Sequence, residues 1–335
     1  IDMIEADGFD VAARLHMLIE GETPATMAKS TGLGLIELPT IFENLRPNIV
    51  VTIGDRFETM STAIAAAYMN IPLAHTMGGE VSGTIDESIR HAVTKLAHIH
   101  FPATKEAYDR IIKLGEMPDY VFHTGCPRID LVEELLELEA EINVDELFRD
   151  GVGGHFDVDK PFLIVSQHPV TTEYGAGEFQ MTETLEAIKL INLPAFVLWP
   201  NADAGADDVA RGLRKWREQS LDGKMRFYKN QSMEVYTKLM SRTACLVGNS
   251  SSGIREGSFI GTPVVNVGSR QRDRERGENV MDVGYDRFEI ADAIRKQIAN
   301  GRYRRSVVYG TGQAGEKIAE ILATVNVQVQ KRLSY

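Results

Sequence analysis

Short runs of apolar, often β-branched residues alternate along this 335-residue chain with stretches of helical periodicity. The runs are apolar at nearly every position, which is typical of strands buried on both faces of a parallel sheet. Strands that alternate with helices predict parallel sheets joined by right-handed crossovers. The predicted strands are 48–53, 71–75, 120–124, 161–167, 195–199, 225–228, 244–247 and 263–267, and the clearest helices between them are 57–69, 84–97, 104–114, 182–191 and 232–241.

The chain is long enough for about two domains. A charged helical stretch over 128–148 leads into the glycine-rich sequence 150–154, which is the best candidate for a domain boundary. We therefore predict an α/β fold of two doubly wound, Rossmann-like domains with a cleft between them. The N-terminal domain covers 1–155, the C-terminal domain 156–318, and a C-terminal helix and tail 319–335, with the last helix at about 313–330.

Composition argues against several classes of function. With 36 basic and 48 acidic residues the formal net charge is −12, so the average surface repels nucleic acid. Cys126 and Cys245 are far apart and have no CxxC spacing, which argues against a disulfide framework or a zinc site and fits a reducing cytoplasm. No apolar run approaches the roughly 20 residues of a membrane span.

The motifs that would indicate a cofactor or metal are also missing from the sequence. It has no P-loop, no GxGxxG and no His/Cys metal spacing, so we expect neither a cofactor nor a metal. The start has no signal-peptide pattern. It also has no initiator Met and no strand–glycine–helix unit, which suggests that an N-terminal segment is missing. We expect a cytoplasmic protein without nucleic acid or membrane partners.

The strongest predicted site follows the strand 244–247, because ligands of such sheets bind beyond the carboxyl ends of the strands. The strand runs into a Ser/Gly turn and a helix, whose free N–H groups and hydroxyls favour a phosphate or diphosphate. A single serine would suffice to cap the helix. Glu256, in the first turn, could accept hydrogen bonds from ribose hydroxyls. The other candidates are Ser250, Ser251, Ser252 and Gly253.

Three other strand ends of the second half carry polar side chains. Arg270, directly after the strand 263–267, is placed to pair with the same diphosphate in bidentate fashion. The following arginines 272, 274 and 276 fit a solvated charge run. His168 could donate to a phosphate, although a lone histidine is more often structural. Asn201 either bonds sugar or phosphate oxygens or makes an Asx turn.

Carboxylates gather after two strands of the first half. Asp55 and Arg56 follow the strand 48–53, where Asp55 either caps the next helix or places a carboxylate in the cleft. The stretch 77–91 then holds three glycines and the carboxylates Glu80, Asp86 and Glu87.

Ordinary helix chemistry explains part of this second motif. Thr84 with Glu87 has the spacing of a capping box, and Asp86 with Arg90 is an i,i+4 pair. Packed carboxylates, however, raise one another's pKa, as general acid–base chemistry near neutral pH requires. An anion site opposite a carboxylate cluster indicates a nucleotide-diphosphate sugar and acid–base chemistry on the sugar.

At these residues the chain resembles the hydrolysing UDP-N-acetylglucosamine 2-epimerases, including the epimerase half of the animal bifunctional epimerase/kinase. The matching stretches are 54–57, 78–98, 248–256 and 261–279, and the resemblance extends over nearly the whole chain. It implies the GT-B fold, a UDP-sugar substrate and a homodimer. By this resemblance, Asp55 and one carboxylate of the Asp86–Glu87 pair match catalytic positions. UDP would be held by Arg56, His168, Asn201, Ser250, Ser251, Glu256 and Arg270.

The reaction implied is the hydrolysis of UDP-N-acetylglucosamine to N-acetylmannosamine and UDP, in sialic-acid-type biosynthesis. A carboxylate removes the C2 proton as UDP leaves C1, and a second carboxylate protonates C2 from the other face while water adds at C1. We predict that Asp55, Glu80, Asp86 and Glu87 share these roles, with base and acid unassigned.

The chain departs from the family pattern in two places. Many relatives carry Glu where Met77 stands, and the family's Thr-Gly-x-Arg loop would precede Ile1. Three alternatives therefore stay open. They are the same chemistry on a UDP-2,4-diacetamido-trideoxyhexose of legionaminic-acid pathways, a GT-B glycosyltransferase, and a UDP-sugar-binding regulator without catalysis.

Overall fold

The computed structural model of the protein describes residues 1–138, 143–219 and 223–334. Its first half, up to Asp150, contains three strands that form a parallel sheet in the order β1-β2-β3. The elements are α1 (Asp2–Ala6), α2 (Pro24–Leu45), β1 (Val50–Ile53), α3 (Phe57–Tyr68), β2 (Leu73–Thr76), α4 (Ile85–Leu96), β3 (Ile99–Phe101), α5 (Lys105–Lys113), a 3₁₀ turn (Pro118–Tyr120), α6 (Pro127–Glu137) and α7 (Val144–Asp150).

The second half forms a seven-stranded sheet in the order β10-β9-β8-β5-β6-β7-β4. Among the described strands of this sheet, only β4 pairs antiparallel, with β7. The elements are β4 (Val152–Gly153), β5 (Leu163–Ser166), a 3₁₀ turn (Thr171–Glu173), α8 (Gly177–Ile191), β6 (Ala195–Leu198), α9 (Ala206–Gln219), β7 (Met225–Tyr228), α10 (Met233–Arg242), β8 (Cys245–Gly248), α11 (Ser251–Ile254), α12 (Glu256–Ile260), β9 (Val264–Val267), β10 (Val280–Val283), α13 (Arg287–Asn300) and α14 (Ala314–Thr324).

Most of the continuously apolar runs are buried strands, as the pattern predicted, but β1 is buried on one face only, with Val51 and Ile53 exposed. All four residues of β5, of β8 and of β9 are buried. Helices α8, α9 and α13 cover one face of the second sheet through Leu185, Leu213 and Ile294. The strand order reverses between β5 and β8, and in sheets of this kind the ligand crevice lies at that switch point.

Three element predictions differ from the structure. The stretch 120–124 contributes a single bridge, between Val121 and His100, because its start belongs to the 3₁₀ turn. The helix expected over 128–148 is present as α6 and α7, and its residues 139–142 lie outside the described part. The helix expected over 313–330 ends at Thr324. Valines then alternate with polar residues from Val325 to Gln330, and this period of two does not suit a helix.

The C-terminal part of the chain returns to the first half. Ile318 of α14 packs against Ala74, Ile99 and Phe101 of the first sheet. The short strand β4 of the glycine-rich stretch pairs with β7 and so belongs to the second sheet. The domain boundary at residue 155 stays a prediction. No helix in the described ranges is long and apolar enough to span a membrane.

Candidate functional site

The carboxyl ends of the two sheets face each other across a cavity of about 230 Å³, here called the cleft cavity. A second cavity of about 450 Å³, here called the switch-point cavity, lies over the ends of β5, β6 and β8, and Ser251 lines both. Residues lining the cleft cavity are Ile53, Gly54, Asp55, Arg56, Met77, Ser82, Thr84, Asp86, Arg90, Ser251, Arg255, Arg270, Gln271 and Arg274.

Asp55 lies in the cleft cavity and forms an ion pair with the buried Arg90 of α4. Burial acts to raise the pKa of Asp55, but the positive charges of Arg90, Arg274 and Arg255 outweigh it and hold that pKa below its usual value. Arg90 also donates to the carbonyl oxygen of Glu80 at 2.7 Å. Asp55 is therefore a carboxylate that stays ionised inside the site.

Glu80 is buried with only 2% of its surface exposed, and it joins the two halves. Its Oε2 accepts from Arg255 Nη2 at 2.7 Å and lies 3.0 Å from Arg274 Nη2. Burial raises the pKa of Glu80, but Arg255, Arg274 and Arg90 together lower it. The predicted catalytic Glu80 is thus placed as the counter-ion of two cleft arginines. Arg274, expected to be a solvated charge, is buried.

Asp86, near the N-terminus of α4, lines the cleft cavity together with Asp55. Its Oδ2 accepts from Thr84 Oγ1 at 2.9 Å. Burial first, and the negative charge of Asp55 second, raise the pKa of Asp86. Two carboxyl groups in one cavity therefore have pKa values shifted in opposite directions, the arrangement from which acid and base roles are assigned.

Glu87 points away from this chemistry. Its Oε2 accepts from the backbone N–H of Ser82 at 2.7 Å, and its Oε1 lies 3.6 Å from His91. The capping box expected between Thr84 and Glu87 is replaced by this bond to Ser82, while Thr84 caps α4 by accepting from the N–H of Asp86. Arg90 was expected to pair with Asp86 and pairs with Asp55 in its place.

Met77 lines the cleft cavity. Its φ of 59° lies in the left-handed region, which is uncommon for a residue other than glycine. Its sulfur accepts from Cys126 Sγ at 3.7 Å. The position thus supplies an apolar wall and no proton.

His168 follows β5 at the switch point and is held from two sides. Its Nδ1 accepts from the backbone N–H of Asn201 at 3.1 Å, so in the neutral ring Nε2 carries the proton. Asn249 brackets its backbone, accepting from the His168 N–H at 2.7 Å and donating to its carbonyl at 2.9 Å. Burial, then Arg270 and Arg56, lower the pKa of His168 to about 3. His168 is a neutral donor, and Asn201 lines the same switch-point cavity.

The serine turn after β8 is held by hydrogen bonds that its sequence does not indicate. Ser250 caps α11 by accepting from the Ser252 N–H at 3.3 Å, and its hydroxyl lies 2.8 Å from Ser252 Oγ. Ser252 also bonds Tyr236 at 2.8 Å, and burial raises the pKa of Tyr236 to about 12. A break at Arg255 leaves two short helices where one was expected. Gly253 packs closely against β9, since a Cβ at this position would lie 3.0 Å from the side chain of Val264.

Glu256 and Arg270 complete the second half of the site. Glu256 is buried, with Oε1 3.3 Å from Arg128. Within the described residues its Oε2 has no hydrogen-bond partner, so it is free to accept from a ligand hydroxyl. Arg270 donates to Asn249 O at 3.2 Å and lines the cleft cavity.

Besides the ion pairs of Glu80, contacts at Arg56 and at Gly83 also join the two halves across the cleft. Arg56 of the first half pairs with Asp203 of the second at 3.0 Å. The Gly83 N–H donates to Arg270 O at 3.0 Å, and its carbonyl accepts from Thr172 Oγ1 at 3.2 Å. A Cβ at Gly83 would overlap the Ser269 carbonyl. The carboxylates of the first half therefore lie beside the arginines of the second.

Sequence reasoning missed three groups of the site. Arg255 lies inside the motif predicted for diphosphate, and a buried charge is not visible from position alone. Asn249 lies in the turn after the predicted strand 244–247 and Tyr236 in the predicted helix 232–241, and neither position indicates which polar groups its side chain meets. In the part of the chain that the structure covers, no group of three or more His, Cys, Asp or Glu side chains could hold a metal ion.

Comparison with known proteins gives consistent results. Residues 1–323 match the family model described as UDP-N-acetylglucosamine 2-epimerase. A Legionella pneumophila protein named UDP-N,N'-diacetylbacillosamine 2-epimerase (hydrolyzing) is 32% identical over 330 residues, which is 98% of this chain and 85% of that protein. A Neisseria meningitidis UDP-N-acetylglucosamine 2-epimerase is 29% identical over 94% of this chain and 81% of its own length.

Solved structures agree on the fold. The crystal structure of UDP-GlcNAc 2-epimerase from Neisseria meningitidis bound to UDP-GlcNAc has a TM-score of 0.74, covering 91% of this chain and 84% of that one. At 18% sequence identity this likeness concerns the fold alone. The expected GT-B arrangement of two Rossmann-like α/β units is confirmed.

Proposed function

The chain belongs to the UDP-N-acetylglucosamine 2-epimerase family, and on that premise we propose that it hydrolyses a UDP-linked 2-acetamido sugar with inversion at C2. The observation that best supports this proposal is the pair of carboxyl groups in the cleft cavity. Asp55 has a lowered pKa and Asp86 a raised one, and Arg270 and Ser251 line the same cavity. This arrangement supports proton transfer next to the leaving diphosphate.

The first step breaks the C2–H and C1–O bonds. One of the two carboxyl groups, as carboxylate, takes the C2 proton, the electron pair forms the C1–C2 double bond, and UDP leaves with the C1–O electrons. Asp55 is ionised and suits the base, whereas Asp86 holds a proton more readily and suits the acid. In the second step Asp86 gives its proton to C2 from the opposite face, while the oxygen of a water molecule bonds to C1 and the proton of that water passes to the Asp86 carboxylate. Asp55 then releases the proton taken from C2 to solvent.

The second half stabilises the charge that builds on the diphosphate. Arg270 supplies a full positive charge, and neutral His168 supplies an N–H, both preorganised by hydrogen bonds to the protein. Glu256 offers its unpaired Oε2 to a ribose hydroxyl. We assign Glu80 to holding Arg255 and Arg274 in the cleft, and Glu87 to holding the backbone at Ser82, so neither transfers a proton.

Two sugars fit this proposal. UDP-N-acetylglucosamine, the substrate of a sialic-acid-type pathway, is favoured by the family description and by the Neisseria relative. A UDP-2,4-diacetamido sugar is favoured by the Legionella relative, which has the higher identity, and by the apolar wall at Met77. We further propose a homodimer in the cytoplasm, where the buried free Cys126 and Cys245 would stay reduced.

Proton NMR in deuterated water tests the reaction. The protein is incubated with UDP-N-acetylglucosamine and, separately, with the 4-acetamido analogue. Deuterium at C2 of a free manno-configured sugar, together with released UDP, is the expected result for the true substrate. The sugar with the higher kcat/KM settles the C4 substituent.

Other outcomes would contradict the proposal. Transfer of the intact sugar to an acceptor without C2 exchange would favour a glycosyltransferase. UDP binding without turnover of either sugar would favour a regulator, which is the alternative that Met77 motivates.

Light scattering of the purified protein tests the homodimer.

A further inference from the structure

Residues 325–334, here called the C-terminal strap, leave α14 and lie on the first half of the fold. Tyr120 donates to the carbonyl of Asn326 at 3.2 Å, and His98 Nε2 lies 2.9 Å from the carbonyl of Val329. Near the end, the Ser334 N–H donates to Gly115 O at 2.9 Å. The strap is therefore bonded to the first half along its whole length.

Lys331 is the point where the strap enters the structure most deeply. Its ammonium donates to the carbonyl oxygens of Thr94, Lys95 and Ala97, at 3.2, 2.7 and 2.6 Å. These carbonyls end α4, and the last carbonyls of a helix have no partners within it. A positive charge is also favoured there by the helix dipole. Lys331 thus caps the C-terminus of α4 from more than 200 residues away.

A buried carboxylate holds the ammonium in place. Glu116, 1% exposed, lies 2.5 Å from Lys331 Nζ and 2.5 Å from Lys95 Nζ, and accepts from His100 Nε2 at 3.1 Å. Burial acts to raise the pKa of Glu116, but the hydrogen bonds from His100, Lys331 and Lys95 lower it to about 2. Burial lowers the pKa of Lys331, and its contact with Glu116 opposes that shift. The strap is held by this buried ion pair.

The same helix carries the proposed acid at its other end. Asp86 and Arg90 lie in the first two turns of α4, about 15 Å and about 9 Å from its C-terminus at 1.5 Å per residue. Its last turn is also tied to the loop of Asp55. Thr94 Oγ1 lies 3.3 Å from His75 Nδ1, and His75 Nε2 donates to Gly54 O at 2.7 Å. A contact that fixes the last turn of α4 therefore also fixes the positions of the Asp86 and Asp55 carboxyl groups.

We propose that Lys331 is a positioning residue of the hydrolysis, through which the C-terminal strap sets where α4 presents Asp86 and Arg90 to the cleft cavity. The role of Asp86 in turnover rests on the proposed function, but the mechanical coupling does not. UDP binds mainly to groups of the second half in this scheme, and the strap contacts named above all lie on the first half. Loss of the strap contact should therefore reduce turnover without reducing UDP affinity.

The test uses Lys331→Ala, Lys331→Arg and, as matched control, Lys317→Ala at an exposed lysine of α14. We expect Lys331→Ala to lower kcat by about 10- to 100-fold with the Kd for UDP within about twofold of the parent. Arg can still donate to the helix carbonyls and pair with Glu116, so Lys331→Arg should recover most of kcat. Lys317→Ala should match the parent.

Amide hydrogen exchange provides a readout that needs no substrate. In Lys331→Ala, exchange should rise over residues 84–90 as well as over 94–98, and Lys331→Arg should reverse it. A kcat equal to the parent's would overturn the proposal, as would faster exchange confined to 94–98. An equal loss of kcat and UDP binding would also overturn it, since general unfolding would explain both. If neither sugar is turned over by the parent, the proposed function fails while the exchange result still decides the coupling.

Discussion

The two sheet edges that meet at the cleft are built from different chemistry. The edge of the first sheet carries buried charges, with Asp55 paired to Arg90 and Glu80 held by two arginines. The edge of the second sheet presents groups that suit an anion, namely the positive charge of Arg270, the neutral ring of His168 and the hydroxyls of Ser250 and Ser252. One edge is suited to moving protons, and the other to holding an anion.

The difference follows from what each edge must do. A proton-transfer group needs a pKa set by its surroundings, and burial among charges is what shifts a pKa. A group that holds a diphosphate needs fixed geometry, which bonds such as those of Asn249 to His168 provide. If this division is correct, variants at the first edge change kcat and variants at the second change binding.

The largest expected effect is at Asp86. Asp86→Asn keeps the size of the side chain but removes the titrating proton, so kcat should fall by about 10²- to 10⁴-fold. The Kd for UDP, measured by calorimetry, should stay near the parent's. Glu87→Gln, the next residue of the same helix, is the control and should lose less than about tenfold, because an amide oxygen still accepts from Ser82. A matching loss of UDP affinity in Asp86→Asn would break the division between the edges.

The next largest effect is expected from a substitution that adds volume where the two halves meet. Gly83→Ala adds a methyl group that meets the Ser269 carbonyl at the crossing. Both halves keep their side chains but are pushed apart, and kcat should fall by about 100-fold. UDP binding, measured in parallel, should weaken far less. Gly32→Ala, where a Cβ meets nothing within 4 Å, is the matched control. Equal kcat in both variants would mean that closure at Gly83 is not required.

The two halves also differ in how well the sequence predicts them. The five strands predicted in the second half from 161 onward are all present, because continuous apolar runs identify buried parallel strands. In the first half β3 was not predicted, since it has three residues and includes His100. The strand β10 was missed for a similar reason, as Asp282 interrupts its apolar pattern.

The site could be predicted as a set of residues but not as a geometry. Parallel strands end at one edge of their sheet, so Asp55 could be expected at the edge of the first sheet, and His168 and Arg270 at the edge of the second. Which carboxyl group faces the cavity depends on partners far away in sequence. Glu80 forms ion pairs with Arg255 and Arg274, and only the folded chain brings these three side chains together.

At the second edge, removal of the positive charge should weaken binding. Arg270→Ala should raise the Kd for UDP by about 10- to 100-fold, the range for a lost hydrogen bond to a charged group. The exposed Arg272, two residues on, is the control, and Arg272→Ala should change Kd by less than about twofold. A drop in kcat with unchanged Kd in Arg270→Ala would mean that this arginine acts at the sugar, with the edges less distinct than described.

The smallest effect is expected from pH, which should not change the contribution of His168 to UDP binding. The pKa of His168 is lowered from 6.5 to about 3, so the ring is neutral in the free protein across physiological pH and donates from Nε2. His168→Asn keeps an oxygen where Nδ1 accepts from Asn201 but removes the Nε2–H. The ratio of the variant's UDP Kd to the parent's should therefore stay constant between about pH 5 and 8. If the parent bound UDP through an imidazolium, its advantage would grow as the pH falls through about 6.5, and the ratio would rise. Calorimetric titrations of both proteins over this range distinguish a neutral His168 from a protonated one.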